Sequence, residues 1–88
     1  MSRYSAKIGD KTLAWGYDSP LQEYFIQLYS DQDDSCIFEL GTVATTQPHP
    51  DYPGKKAWSR GEILGIYEQY AEYIPQKHRD AVALDMVF

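Results

Sequence analysis

The sequence predicts an α+β domain: a four-stranded antiparallel meander with one face covered by a C-terminal amphipathic helix, and a second short helix after it. Three observations carry this. Residues 3–8 and 11–17 alternate polar and apolar about a Gly9-Asp10 pair. Residues 23–29 and 36–40 repeat the alternation about a polar turn, and residues 59–74 switch to a helical period. Strands joined by short turns pair with their sequence neighbours, and an amphipathic helix that follows them buries its stripe on one face of the sheet.

In the first run Tyr4, Ala6 and Ile8 share one face while Arg3, Ser5 and Lys7 share the other. Gly9-Asp10 suits a two-residue type II′ turn, whose first central position needs positive φ. In the second run Leu13, Trp15 and Tyr17 oppose Thr12, Ala14 and Gly16. Asp18-Ser19-Pro20 signals a turn and would also cap a short helix. The aromatic and β-branched run EYFIQLY at 23–29 favours a strand instead, with Tyr24, Ile26 and Leu28 on one face and Phe25, Gln27 and Tyr29 on the other. Residues 30–35 (SDQDDS) form a polar turn. In 36–40 the residues Cys36, Phe38 and Leu40 align, which makes Cys36 a small core residue rather than a nucleophile.

Residues 41–57 differ in kind: the stretch holds three prolines, two glycines and a Lys55-Lys56 pair, without sustained periodicity. A loop this long in a small domain is usually functional or mobile, and its prolines favour extended backbone. Lys55 and Lys56 sit where the helix dipole is unfavourable to cations, so both are expected to point away from the helix start. At that start Ser59 and Glu62 form an S-x-x-E capping box, and Trp58 is placed to staple against Ile63. The expected buried stripe is Ile63, Leu64, Tyr67, Tyr70, Ala71 and Ile74, flanked by Ile66 and Tyr73, with Glu62, Glu68 and Glu72 on the opposite side. Pro75 ends the helix. The alanine-rich run that follows predicts a second helix to about Leu84, although Val82, Leu84, Met86 and Phe88 also alternate as a strand would. The sheet is expected to contribute Tyr4, Ala6, Ile8, Leu13, Trp15, Ile26, Leu28, Phe38 and Leu40 to the core.

The bulk properties narrow the function classes. The chain of 88 residues reads as a single domain, 1–88, and its 43% hydrophobic content is that of a folded globular protein. A net charge of −5 disfavours direct binding to nucleic acid or anionic membranes, which need clustered cations, and suits a basic protein partner. One cysteine excludes an internal disulfide. The first residues hold no apolar run of signal-peptide type, and no apolar stretch is long enough to span a bilayer, so a cytoplasmic location is expected.

Site chemistry is sparse. Asp31, Asp33 and Asp34 hint at a calcium loop, but the glycine at its sixth position and the glutamate at its twelfth, where Thr42 stands, are missing. His49 and Asp51 evoke a catalytic pair or metal ligands, yet His49, His78 and Cys36 follow no recognisable ligand spacing. No catalytic, cofactor-binding or metal-binding residue is therefore assigned, and no cofactor is expected. The aromatic content stands out instead: eight tyrosines, two tryptophans and three phenylalanines exceed what so thin a core hides, and such residues anchor interfaces. The expected partner-binding residues are Tyr17, Phe25 and Tyr29 on the sheet face away from the helix, and Asp31, Asp33 and Asp34 in the acidic turn. His49, Asp51 and Tyr52 in the loop and Glu68 and Glu72 on the helix complete the set. The leading reading is a small acidic, non-enzymatic protein-binding module. Within it, an inhibitor or regulator of bacterial or phage type would present carboxylates to a nucleic-acid-binding protein where phosphates sit. A structural homodimer, and a small enzyme or enzyme subunit using His49, Asp51 or His78, are the competing readings.

Overall fold

The computed structural model describes residues 2–88. Strands β1 (Ser2–Ile8), β2 (Lys11–Asp18), β3 (Glu23–Ser30) and β4 (Cys36–Gly41) precede helices α1 (Arg60–Gln69) and α2 (Gln76–Ala83). The strands pair antiparallel in the order β1-β2-β3-β4, so the α+β meander with a C-terminal helical layer is the observed architecture. Gly9 takes φ +62° in the β1–β2 turn, as the first position of a type II′ turn requires. Asp34 in the β3–β4 turn also lies in the left-handed region, at φ 57°.

The register sorts side chains into two faces. The row Tyr4, Trp15, Ile26, Leu40 and the row Ala6, Leu13, Leu28, Phe38 cross the sheet on the helix side. With Ile63, Ile66 and Tyr67 of α1, Ile74, and Val82 of α2, these rows build the core. Tyr4 is 37% exposed: it lies on the edge strand β1, where the His78 ring of α2, at 4.3 Å, and the Phe88 ring, at 5.9 Å, cover it only in part. The opposite face carries the rows Arg3, Gly16, Phe25, Gly41 and Ser5, Ala14, Gln27, Glu39. Gly16 is required there, since a Cβ on it would lie 2.1 Å from the Ser2 carbonyl oxygen.

Several expectations are corrected. The register shifts between Leu28 and Tyr29, so that Leu28 opposes Phe38 but Tyr29 opposes Cys36. One extra residue, Ile37, therefore carries Cys36 off the core face and leaves it exposed. Tyr17 lies on the helix side, not the outer face, because it continues the Leu13–Trp15 alternation and pairs with Tyr24, ring centroids 5.0 Å apart. The α-helix stops at Gln69. Beyond it, residues 70–74 close in turns, with bonds from Ala71 N–H to Glu68 O and from Ile74 N–H to Tyr70 O. That change of phase turns Ala71 out to solvent while Ile74 stays buried; within the regular helix Ile66, expected only at the flank of the stripe, is buried in the core. The long loop is not free of structure either. Gln47 returns to pair with Glu39 and covers the outer edge of β4. Its start is held by the buried Glu23, whose carboxylate accepts from Val43 N–H at 2.9 Å and Ala44 N–H at 2.8 Å.

Candidate functional site

On the outer sheet face the aromatic patch expected from Phe25 and Tyr29 is largely occupied. Phe25 is buried, flanked in register by the small residues Gly16 and Gly41, with the Arg3 guanidinium 5.8 Å above its ring. Arg3 also donates to Gln27 Oε1 at 2.9 Å and to the Tyr29 hydroxyl at 3.2 Å. This face is a polar lattice laid over one phenyl ring, and it presents less free aromatic surface than the alternation implied.

The carboxylates are dispersed. Asp31 accepts from Lys7 Nζ at 2.8 Å and from the Thr12 hydroxyl at 2.6 Å, and those bonds hold it below the usual aspartate range. Asp33 accepts from Ser35, which lowers it likewise and closes the turn. Glu68 is paired with Arg79 at 2.9 Å, which ties α1 to α2. Asp34 and Glu72 are exposed and have no cation partner among the described residues.

His49, Asp51 and Tyr52, by contrast, are brought together, and with residues that pattern reasoning assigned elsewhere. His49 is buried and stacks on Phe38, centroids 4.8 Å apart at 24°. Its Nδ1 accepts from the Asp51 backbone N–H at 3.0 Å, while the Asp51 carboxylate lies 4.0 Å away and is mostly exposed. A catalytic His-Asp pair needs that nitrogen to donate to the carboxylate, whereas here it accepts from the Asp51 backbone and holds the loop folded. Among the described residues no group of three histidine, cysteine or acidic side chains is placed to hold a metal ion.

The stacked His49 carries Tyr52 to the surface, 48% exposed, with its ring edge-on to Trp58 at 5.7 Å. Tyr52, Lys55 and Trp58 from the loop and Glu62, Ile66 and Gln69 from α1 line a recess of about 300 Å³. Gly65 sits on the same wall and keeps it open, with nothing within 4 Å of where its Cβ would be. Lys55 does not point away from the helix start. Its ammonium pairs with Glu62 at 2.6 Å and lies 5.1 Å from the centre of the Trp58 ring. That ammonium, with the Ser59 N–H of the capping box, holds the Glu62 carboxyl down at about 2. The negative charge at the first turn thus outweighs the dipole's repulsion of the lysine.

At the base of this group is an anomaly. Trp58 is 5% exposed, and its buried indole Nε1 has no hydrogen-bond partner among the described residues. A buried N–H left unpaired costs roughly 1–3 kcal/mol, so such groups are uncommon in folded proteins. Trp58 was legible only as a staple, and it does join the core cluster beside Ile63. Its second role, together with Lys55, Ile66 and Gln69, depends on how the loop folds back, which no periodicity encodes.

Compared with known proteins, the chain matches no family model, no curated protein and no solved structure. No helix among the described residues is long and apolar enough to cross a membrane.

Proposed function

We propose that the chain is a non-enzymatic protein-binding module whose recess between the proline-rich loop and α1 receives an extended segment of a partner. The observation that carries this reading is the orphaned Trp58 Nε1 donor beneath an exposed tyrosine. An indole N–H and a neighbouring aromatic ring are the pair by which aromatic grooves hold extended, proline-containing backbone: the ring packs the side chains, and the donor, closed off in the free protein, takes a carbonyl once the incoming segment displaces the Tyr52 ring that lies against the indole. Lys55 and Gln69 on the rim add donors for further carbonyls. A regulatory or inhibitory role follows if the captured segment is one its owner needs elsewhere.

The carboxylate reading retains a specific observation of its own, since Asp34 and Glu72 are free of cation partners among the described residues. One experiment separates the two. Peptides selected from a displayed random library on the wild-type domain are measured against Trp58→Phe, which keeps the ring and removes the donor, and against Tyr52→Ala. Losses of about tenfold in both are expected, the worth of one hydrogen bond or one aromatic contact. If both variants bind normally while Asp34→Asn and Glu72→Gln abolish binding, the recess reading is wrong and charge mimicry takes its place.

A further inference from the structure

The two edges of the sheet are treated differently. The β4 edge is covered by the loop through the Glu39–Gln47 bridge. The β1 edge is open: among the described residues its backbone bonds only to β2, and none of its seven residues is buried. Beside it lies a second recess, of about 410 Å³, whose lining includes Tyr4, Leu84, Met86 and Phe88 and also the charged Lys77 and Asp80. Leu84, Met86 and Val87 are 69%, 56% and 66% exposed. Their backbone is nevertheless pinned. Met86 N–H donates to Ala81 O at 2.7 Å, and the Tyr24 hydroxyl, 3.0 Å from both Met86 O and an Asp85 carboxylate oxygen, shares its one proton between these two acceptors. Three large apolar side chains held outward on an anchored segment, next to an unpaired strand, form an incomplete packing surface.

The geometry points to a docking site for an extended segment of another protein, added as a fifth strand along β1, with apolar side chains on one face and acidic ones on the other. The faces of β1 set that chemistry. Opposite residues in an antiparallel pair share a face, so a partner residue facing Tyr4 enters the recess, and those facing Ala6 and Ile8 continue the core side of the sheet. Those facing the other way meet Arg3, which bonds only neutral groups, Gln27 and Tyr29, among the described residues, and Lys7, which pairs with Asp31 at 2.8 Å but keeps its side chain 71% exposed. A second copy of this chain fits less well: β1 against β1 centred on Ser5 sets Arg3 opposite Lys7 twice, and like charges directly opposite are destabilising. The site is independent of the Trp58 recess, on different elements.

The test is a titration of the isotope-labelled chain with an end-capped seven-residue peptide alternating glutamate and valine, followed by amide NMR shifts. The expected result is saturable shifts at Ser2–Ile8 and at residues 84–88, with slowed hydrogen exchange in β1. The same peptide with its central valine replaced by proline, and a lysine–valine peptide, should leave these amides unmoved. Arg3→Glu with Lys7→Glu should weaken the acidic peptide about tenfold and admit the lysine peptide, a reversal that loss of folding cannot mimic. No shift in β1 at millimolar acidic peptide, equal binding of both peptides by the wild type, or self-association of the free chain through β1 would each overturn the proposal.

Discussion

At the scale of the residue, the joint between helix and sheet is concentrated in a few polar atoms set inside apolar surroundings. Tyr67 is fully buried on α1, and its hydroxyl donates to Phe25 O at 2.7 Å and lies 3.3 Å from Gly16 O, a pair of residues facing each other on β2 and β3. Burial drives this phenol well above the ordinary tyrosine range, which keeps it a donor at neutral pH. Tyr67→Phe keeps the ring packing and removes the hydroxyl that bonds the sheet backbone. The expected loss is about 1–3 kcal/mol, the cost of leaving buried carbonyls short of a donor. Equilibrium urea unfolding checks it, and an unchanged slope would confirm that the fold itself is intact. The tyrosine was visible in the helical period as a core position. What its hydroxyl would meet was not, because that partner lies 42 residues away in sequence.

At the scale of the element, the boundaries that local chemistry fixes are the ones that were legible. The Gly9-Asp10 turn sets the β1–β2 register, and the Ser59–Glu62 capping box, present in both directions, starts α1. Boundaries decided by tertiary fit were not legible. Nothing in the alternation of Cys36, Phe38 and Leu40 announces an extra residue at 37, and a strict period-2 reading places the cysteine one face too far. The end of α1 at Gln69 was hidden likewise, because apolar residues continue to Ile74 while the backbone tightens into turns. The start of β1 shows how a single atom can hold an element in place. A Gly16→Ala methyl would meet the Ser2 carbonyl oxygen at 2.1 Å and its carbon at 2.9 Å, both backbone and unable to swing aside. The expected outcome is a loss of about 1–3 kcal/mol by overpacking. Amide exchange at Ser2 and Arg3 should rise more than elsewhere, since β1 is an edge strand and, unlike β4, has no loop bridged along its outer side among the described residues. Uniform exchange changes across the sheet would show that Gly16 does not act through β1.

At the scale of the whole molecule, the sheet, α2 and the C-terminal segment meet at one histidine. His78 is buried on α2 and its Nδ1 accepts from the Trp15 indole Nε1 at 3.0 Å. Its ring lies 4.3 Å from that of Tyr4 and 4.9 Å from that of Phe88. Two of the fold's layers therefore depend on this imidazole being neutral, for a protonated Nδ1 can no longer accept. Burial, with the nearby Lys77 charge, pushes its pKa below the ordinary value of 6.5. The sign follows from linkage. With the folded value depressed, the unfolded chain binds the extra proton first, so stability is complete above 6.5 and is lost as the pH falls toward the folded value. The carboxylates act in a separate window. Asp31, Asp33 and Glu62 are lowered from ordinary values of 3.8 and 4.5, so their contribution disappears only below that range. Thermal melts at successive pH values should accordingly show a first decline in Tm beginning just below pH 6.5, distinct from a second at stronger acid. His78→Gln offers an acceptor that does not titrate, and in that variant the first decline should disappear while the second stays. A first decline that survives the substitution would assign it to another group and remove His78 as the pH-sensitive joint of the fold.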